Sequence, residues 1–360
     1  MKSRILWLSY GDANTKFFHV QTKMKKARQH IIALKNEANV WVQGTTLHTL
    51  ILNTLKSIFQ FSSSSQPSPP HSFYSSLDFN TQNFLNTLLD FPSIDETRAT
   101  LWNMHPLKSP GHAQFFQSNW NSLGTDVAKF IQTIFITTPI PEDLTQVKLV
   151  LIPKISNPKT ASHLQPRSLC NTMYKLLTKL LVNRLKPFLP AMNHPSESGF
   201  VHGRRATDNY IVTQEMIHYI SQRKDNINLM ATKIDLEKTY DKLKWHFIKY
   251  ALQFYHFLAK IVDLIMACIS SSTIFILWNG KASIRQGDPL SPYLFILCLN
   301  QLSLTLDRAL YSKKLKPIRV GRHPILFNHV LFVDDIFLFS HATIPNCNCL
   351  LNIFITSITS

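Results

Sequence analysis

The segment Val330–Phe339 reads VLFVDDIFLF, in which two apolar runs enclose the adjacent acids Asp334 and Asp335. This pattern predicts two strands joined by a tight turn, because aspartate tolerates the left-handed backbone conformation that such a turn needs. An aspartate-rich turn in solvent is one interpretation. The apolar residues on both sides favour a turn near the core instead, where a divalent cation would relieve the repulsion between the two carboxylates.

A third acid, Asp235, closes the segment Leu229–Asp235 (LMATKID), whose spacing predicts a strand with Ala231, Lys233 and Asp235 on one face. An aspartate between a strand and a helix is more often an N-cap, and that alternative stays open for Asp235 taken alone. Together with the acidic pair of the predicted turn, Asp235 makes a set of three carboxylates from separated strands. Two-metal nucleotidyl transfer needs such a set of hard oxygen ligands.

Other elements are predicted around these segments. Val147–Ile152 (VKLVLI) is expected to be a strand, and Met173–Phe188 an amphipathic helix with Asn171 as its N-cap. Ser291 is expected to cap a long apolar helix that has Pro292 in its first turn. Strands and helices are mixed without strict alternation, so the sequence predicts an α+β domain.

The composition is strongly basic. The 360 residues include 38 Lys and Arg against 21 Asp and Glu, a formal net charge of +17. This excess favours a polyanionic partner, most commonly nucleic acid, over a basic protein with no such partner. Residues 1–60 form a basic N-terminal segment, and residues 61–80 hold a Ser/Pro-rich stretch typical of a linker or surface loop.

Cysteine usage and hydropathy indicate the compartment. The five cysteines show no zinc-type pairing and three of them lie in apolar runs, which predicts buried free thiols in a reducing environment. The first residues lack the pattern of a secretory signal peptide, and no run is long and apolar enough to span a bilayer. We expect an intracellular protein, nuclear or cytoplasmic, with no membrane partner and not secreted.

Three segments, in order, resemble successive motifs of LINE-type (non-LTR) retrotransposon reverse transcriptases of a plant-like kind: KIDLEKTYDKLKW (Lys233–Trp245), RQGDPLSPYLFIL (Arg285–Leu297) and LFVDDIFLF (Leu331–Phe339). Four more stretches are also similar to that family: GDANTKFFH (Gly11–His19), LIPKISNP (Leu151–Pro158), SLCNTMYKLLTKLLVNRLK (Ser168–Lys186) and GFVHGRRATDN (Gly199–Asn209). The resemblance implies a right-hand polymerase with fingers over residues 81–228 and palm over residues 229–360, the thumb being largely missing. It implies RNA-templated DNA synthesis, with an RNA template, a DNA primer and deoxynucleoside triphosphates as partners, and leaves the oligomeric state open.

The resemblance also implies a metal site. Asp235 and Asp334 would be the main ligands of two Mg²⁺ ions, with Mn²⁺ as an alternative metal and Asp335 in support. The backbone carbonyl of Leu236 would add a ligand. Tyr240 matches the aromatic residue that blocks a ribose 2′-hydroxyl, although a tyrosine of the core is the alternative interpretation.

Further residues would contact the nucleotide. Gln286 and Gly287 match the loop that lies against the incoming nucleotide and the template, where glycine lets a backbone approach a ligand closely. Lys154 matches a fingers lysine that contacts the triphosphate. The family's triphosphate-binding arginine is replaced by Gln165, which cannot make a charge-assisted bidentate contact. Arg167 lies two residues on and points to the same side if the strand is regular.

Additional departures indicate a partial or degenerate copy. Val333 replaces the more usual alanine, and the segments Lys108–Phe116 and Asn279–Gly287 look shortened. We therefore expect weakened or lost polymerase activity, and the alternative function is a catalytically dead, basic nucleic-acid-binding remnant. A nuclease or another two-metal enzyme does not account for Tyr240 and the RQGDPLSP segment together.

Overall fold

The computed structural model describes residues 20, 31–59, 85, 87–105, 113–137, 140–155, 157–223, 228–236, 243–270, 274–276, 288–320 and 325–359. Helices and strands are mixed along this part of the chain, which confirms the α+β prediction. No helix among the described residues is both long enough and apolar enough to cross a membrane. The predicted Ser/Pro-rich linker lies outside the described residues.

The strands are β1 (Ala33–Lys35), β2 (Trp41–Gln43), β3 (Val147–Pro153), β4 (Leu164–Cys170), β5 (Leu229–Asp235), β6 (Ile274–Ile276), β7 (Ile318–Val320), β8 (Ile325–Phe327), β9 (His329–Phe332) and β10 (Asp335–His341). The helices are α1 (Gly44–Phe59), α2 (Ile94–Trp102), α3 (Ala113–Ser118), α4 (Trp120–Ile136), α5 (Glu142–Thr145), α6 (Thr172–Leu185), α7 (Leu189–Met192), α8 (Ala206–Gln222), α9 (Trp245–Phe254), α10 (Ala259–Ser270), α11 (Ser291–Tyr311) and α12 (Ile344–Thr359).

In the part of the chain that the structure describes, the strands pair into four small sheets. The central one has the order β5-β10-β9 with antiparallel neighbours, and a second has the order β4-β3-β6, in which β3 and β6 run parallel. Hairpins β1-β2 and β7-β8 complete the set. The predicted strand Leu229–Asp235 is therefore confirmed, as are the strand from Val147 and the hairpin in Val330–Phe339.

Both faces of the middle of β10 are covered, which explains its apolar run Ile336–Phe339. Ile336 and Leu338 are buried in the main core, whereas Phe339 on the opposite face packs with Met216 of α8 and Ile318 of β7 in a second, smaller cluster. A strand that is buried on both sides loses the alternation of apolar and polar residues. At the end of β5 the alternation returns, because Ala231, Lys233 and Asp235, which were predicted to share one face, are all exposed.

Helix α6 confirms the predicted cap. The Asn171 side chain accepts a hydrogen bond from the Met173 N–H at 2.9 Å, and the apolar stripe of the helix is buried in the main core. The prediction that the α-helix ends at Phe188 is wrong. The α-helix ends at Leu185, and a 3₁₀ turn over Lys186–Phe188 follows it. Pro187 explains the change, because proline has no N–H to continue the α-helical ladder.

The start of α11 also differs from the prediction. Ser291 is the first residue of the helix rather than its cap, Leu290 holds the N-cap position, and Pro292 lies in the first turn as expected. The Asp288 carboxylate accepts a hydrogen bond from the Leu290 N–H at 3.1 Å. An acid two residues upstream therefore satisfies a backbone donor that precedes the helix.

Buried thiols are confirmed at three positions. Cys170, Cys268 and Cys298 are buried thiols outside any disulfide, and burial raises the pKa of the Cys298 thiol, which favours its neutral form. Cys347 is exposed and Cys349 is half-buried, both as free thiols on α12. The three buried cysteines therefore serve as small apolar core residues.

Candidate active site

The register of the central sheet brings the three predicted acids to one end. Asp335 lies directly opposite Asp235 in the β5-β10 ladder, and Asp334 immediately precedes β10. The Leu236 N–H donates a hydrogen bond to the Asp334 carbonyl oxygen at 3.0 Å, which ties the two chain segments together beyond the ladder. Directly opposed residues have Cβ atoms about 4.5–5.5 Å apart, so the backbone fixes this acidic end of the sheet.

The turn between β9 and β10 consists of Val333 and Asp334, because Phe332 pairs with Asp335. Val333, with φ of 56°, adopts the left-handed conformation, whereas neither aspartate is among the positive-φ residues. The prediction that an aspartate adopts the left-handed conformation is thus wrong. A two-residue hairpin can require positive φ at its first turn position alone, and the register gives that position to valine. Such a backbone is unfavourable for a β-branched residue, so the surrounding structure must hold it.

Lys233 provides a positive charge beside the acids. Its Nζ lies 2.7 Å from Asp335 Oδ1, and both side chains are substantially exposed. The hydrogen bond from Lys233 to Asp335 raises the pKa of the lysine, and the charges of Asp335, Asp235 and Asp334 add to the effect. The ammonium therefore offsets part of the negative charge that the sheet register concentrates here.

An additional chain segment extends the central sheet next to β9. The Leu331 N–H donates to the Ser196 carbonyl oxygen at 3.1 Å, and Glu197 forms a parallel bridge with Leu331. Asn209 of α8 donates from Nδ2 to the carbonyl oxygens of both Ser196 and Leu331, at 2.9 and 2.7 Å. The edge of the hairpin that carries the turn is thereby fixed to the segment before α8.

Glu197 lies buried beneath the turn. Its side chain is 1% exposed, and Oε1 accepts a hydrogen bond from the Gly199 N–H at 2.5 Å. Burial raises the pKa of the Glu197 carboxyl to about 7, opposed by hydrogen bonding from the backbone N–H groups of Gly199, Val333 and Ser198 and by the charge of Arg204. Glu197 thus contacts the strained residue Val333 directly, and sequence reasoning missed it because one glutamate between two serines has no distinguishing pattern.

Two neighbours keep Glu197 and the turn in place. Arg204 donates from its guanidinium to four carbonyl oxygens of the preceding segment, those of Pro190, Asn193, His194 and Glu197. Gly199 is required for space, because a Cβ atom at this position would lie 2.6 Å from Val333 Cγ2. The chain at Gly199, before α8, therefore packs closely against Val333 of the turn.

The segment after the predicted nucleotide loop is anchored by a buried acid. The Tyr174 hydroxyl of α6 donates to Asp288 Oδ2 at 2.8 Å, and Asp288 is 3% exposed. Sequence reasoning missed Asp288 as well. Its position next to Pro289 and the start of a long apolar helix was the available signal, since a helix that begins in the core needs a buried acceptor for its free N–H groups.

The other predicted site residues lie on or next to the second sheet, or outside the described residues. Lys154 is exposed and follows β3, with its N–H bonded to the His163 carbonyl oxygen at 2.8 Å. Gln165 and Arg167 occupy regular ladder positions of β4, opposite Ile152 and Val150. Tyr240, Gln286 and Gly287 lie outside the described residues. The structure thus places Asp235, Asp334, Asp335 and Leu236 at one sheet end and puts Lys154, Gln165 and Arg167 on another sheet.

Several known proteins are similar to this chain. The family model described as reverse transcriptase (RNA-dependent DNA polymerase) matches residues 152–358, more than half of the chain. The transposon TX1 uncharacterized 149 kDa protein of Xenopus laevis is 27% identical over 333 residues, covering 88% of this chain and 25% of that protein.

Shorter alignments link the chain to further proteins. The retrovirus-related Pol polyprotein from type-1 retrotransposable element R2 of Popillia japonica is 26% identical over 189 residues, covering 49% of this chain and 26% of that polyprotein. An uncharacterized mitochondrial protein of Arabidopsis thaliana, AtMg01250, is 54% identical over 52 residues, covering 14% of this chain and 43% of that protein. The chain spans about a quarter of the length of the TX1 and R2 proteins. Because the reverse transcriptase family model covers both strands that carry the acids, and the longer relatives are a transposon protein and a retrotransposable-element polyprotein, the chain belongs to the reverse transcriptase (RNA-dependent DNA polymerase) family and to its LINE-type (non-LTR) class.

Proposed function

We propose that this chain provides the fingers and palm of an RNA-directed DNA polymerase that works by two-metal nucleotidyl transfer, with an RNA template, a DNA primer and deoxynucleoside triphosphates as substrates. The observation that carries the proposal is the register of β5 and β10, which pairs Asp235 with Asp335 next to the turn residue Asp334. Fingers over residues 81–228 and palm over residues 229–360 follow from the same assignment, with residues 1–60 as a basic segment ahead of the polymerase core.

The donor set at the sheet end fits divalent cations. Three carboxylates supply the hard oxygen ligands that Mg²⁺ and Mn²⁺ prefer, and Asp235 and Asp334 are exposed, so that ions and substrates can reach them. Asp235 and Asp334 would hold two ions, with Asp335 and the Leu236 carbonyl in support. When bound, the ions supply Lewis-acid chemistry, activating the primer hydroxyl and neutralising charge on the leaving pyrophosphate.

Hydrogen bonds and contacts within the protein fix the positions of the proposed metal ligands at this end of the sheet. The Leu236 N–H bond to the Asp334 carbonyl fixes the position of the turn relative to β5, and Glu197 holds Val333 from below. Lys233 keeps Asp335 paired, which leaves Asp235 and Asp334 as the more accessible ligands. The proposed nucleotide contacts are Lys154, Arg167, Tyr240, Gln286 and Gly287.

Primer extension tests the proposal. The chain is incubated with an RNA template, an annealed DNA primer and deoxynucleoside triphosphates, with Mg²⁺ or with a chelator. Extension that needs both the RNA template and the divalent ion is the expected result. If the folded chain binds the hybrid but gives no extension with either Mg²⁺ or Mn²⁺, the alternative of a catalytically dead nucleic-acid-binding remnant is favoured.

Gln165 is expected to limit the reaction. It occupies a regular position of β4 and is neutral, and a charge-assisted hydrogen bond contributes about 1.5–3 kcal/mol. Gln165→Arg should therefore raise kcat/KM for the nucleotide by about tenfold to a hundredfold. Gln146→Arg, at an exposed position before β3, controls for the added charge. Equal rates for the parent and Gln165→Arg would contradict this role.

Binding to nucleic acid should depend steeply on salt. The net charge of +17 favours phosphate contacts, each of which releases counterions from the polyanion. The logarithm of the association constant for an RNA–DNA hybrid, measured by fluorescence anisotropy, should fall linearly with the logarithm of the salt concentration. A slope near zero, or no binding at low salt, would count against a nucleic-acid partner.

A further inference from the structure

A cluster of two histidines and an aspartate lies apart from the acidic end of the sheet. His194 follows α7, Asp307 is on α11, and His329 begins β9. One ligand atom from each residue lies within 4.8 Å of the other two, and His194 Nε2 is 3.0 Å from Asp307 Oδ2. The two imidazole rings face each other with centroids 4.8 Å apart.

His329 contributes a buried nitrogen with an unused lone pair. Its side chain is 1% exposed, and Nδ1 lies 2.6 Å from the Asn328 amide oxygen, which can only accept, so the ring proton is on Nδ1. Nε2 therefore carries a lone pair, and no hydrogen-bond partner for this atom lies among the residues that the structure describes. A buried acceptor without a partner is costly, and a metal ion would satisfy it.

Hydrogen bonds around the cluster orient all three residues. Asn328 also donates from Nδ2 to Asp307 Oδ1, at 3.4 Å, which leaves Oδ2 directed at His194. The His194 Nδ1 atom accepts a hydrogen bond from the Ser196 N–H at 3.2 Å and lies 2.6 Å from the Ser196 hydroxyl, which would accept the Nδ1 proton once a metal replaces the proton on Nε2. Metal-binding histidines commonly use their second nitrogen in this manner.

The backbone near His194 is fixed to the helix that carries Asp307. Asn300 of α11 accepts from the His194 N–H at 2.8 Å and donates to the Met192 carbonyl oxygen at 2.9 Å. Ligands from the segment after α7, from α11 and from β9 therefore converge on a framework that already exists without the ion. This reduces the ordering that binding would require.

We propose that His194, Asp307 and His329 bind one Zn²⁺ ion, with water as the fourth ligand. Two imidazoles and a carboxylate suit zinc, whereas Mg²⁺ prefers oxygen ligands alone. In a tetrahedral site the ligand atoms lie about 3.3 Å apart, so the His194–Asp307 pair, at 3.0 Å, already has a suitable separation, and the His329 ligand atom, within 4.8 Å of both, would move toward them by up to about 1.5 Å. His194 and Asp307 are 18% and 19% exposed, which leaves access for the water.

The ion would join the segment before α8, helix α11 and strand β9, which leads into the turn with Asp334. The proposal concerns binding of the ion and stabilisation of the folded chain, and it does not depend on polymerase activity. Zinc should raise the melting temperature of the chain increasingly as its free concentration rises above the dissociation constant, because it binds the folded state.

The test measures zinc binding and Co²⁺ absorption on the full chain. A competing chromophoric chelator gives the zinc affinity and stoichiometry, and Co²⁺ in the site should show the visible absorption of a tetrahedral complex. His194→Gln and Asp307→Asn, which preserve size and polarity, should each weaken binding by about a hundredfold or more, and Asn328→Ala by about tenfold to a hundredfold. Circular dichroism establishes that each variant is folded.

Three controls separate this cluster from other ligands. His218→Gln changes an exposed histidine on α8, Asp334→Asn changes the acidic end of the sheet, and Cys347→Ser with Cys349→Ser removes the thiols of α12. All three should retain the zinc affinity and the Co²⁺ spectrum. The proposal is overturned if the folded chain takes up no Zn²⁺, if His194→Gln and Asp307→Asn leave the affinity unchanged, or if only a control variant loses binding.

Discussion

Asparagine at position 334 or 235 is expected to reduce Mg²⁺-dependent primer extension by about a thousandfold or more. Asparagine has nearly the size of aspartate but lacks the charge that holds a divalent ion, and losing several kcal/mol of transition-state stabilisation corresponds to this factor. Asp335→Asn should have a smaller effect, because the Asp335 carboxylate is already paired with Lys233 at 2.7 Å. The rates are compared in the Gln165→Arg background, where the signal should be higher.

The matched control for these substitutions is Asp263→Asn. Asp263 is an exposed acid on α10, so its replacement makes the same chemical change outside the proposed site. Mn²⁺ binding, followed by electron paramagnetic resonance, should fall for Asp334→Asn and Asp235→Asn but not for Asp263→Asn. Primer extension by the Asp334→Asn variant at the same rate as its Gln165→Arg background would contradict the two-metal assignment.

Glu197 should make the stability of the chain depend on pH. Burial raises the pKa of this carboxyl from 4.5 to about 7, so the folded state favours the protonated form. Its contribution to stability is fully present below about pH 4.5 and is lost as the pH rises through about 7, a decrease in the free energy of unfolding of about 3 kcal/mol. Glu197→Gln resembles the neutral acid and cannot ionise.

We therefore expect Glu197→Gln and the parent to be equally stable at pH 4.5, and the variant to be more stable at pH 8 by up to about 3 kcal/mol. Denaturant unfolding at several pH values measures this difference. Glu215→Gln, an exposed position on α8, should follow the parent at every pH. Parallel pH profiles for Glu197→Gln and the parent would show that Glu197 is not the buried acid that the structure indicates.

The position of Glu197 also links this stability to the turn. Its carboxyl accepts a hydrogen bond from the Gly199 N–H, and Gly199 lies tightly against Val333, which holds a left-handed conformation that valine rarely adopts. Ionisation of a buried acid at this point changes the electrostatic environment of the neighbouring carboxylates. The decrease in the parent's free energy of unfolding between pH 4.5 and 7 should therefore originate next to the proposed metal ligands.

The sequence by itself determined the local elements and the family. The apolar runs around Asp334 predicted the β9-β10 hairpin, the pattern of Leu229–Asp235 predicted β5, and Asn171 predicted the start of α6. These features depend on residues a few positions apart, whose spacing follows directly from strand and helix geometry. The ordered motifs identified the family for the same reason, since each is a short contiguous string.

Only the tertiary structure decided which distant residues come into contact. Glu197 contacts Val333, Tyr174 bonds to Asp288, and His194 meets Asp307 and His329. Each of these contacts joins residues that are far apart in the chain, and their side chains have no periodic pattern that would indicate the partner. The register of β9 and β10 likewise gave the left-handed conformation to Val333 rather than to an aspartate, because the turn position, and not the preference of the residue, fixed the backbone.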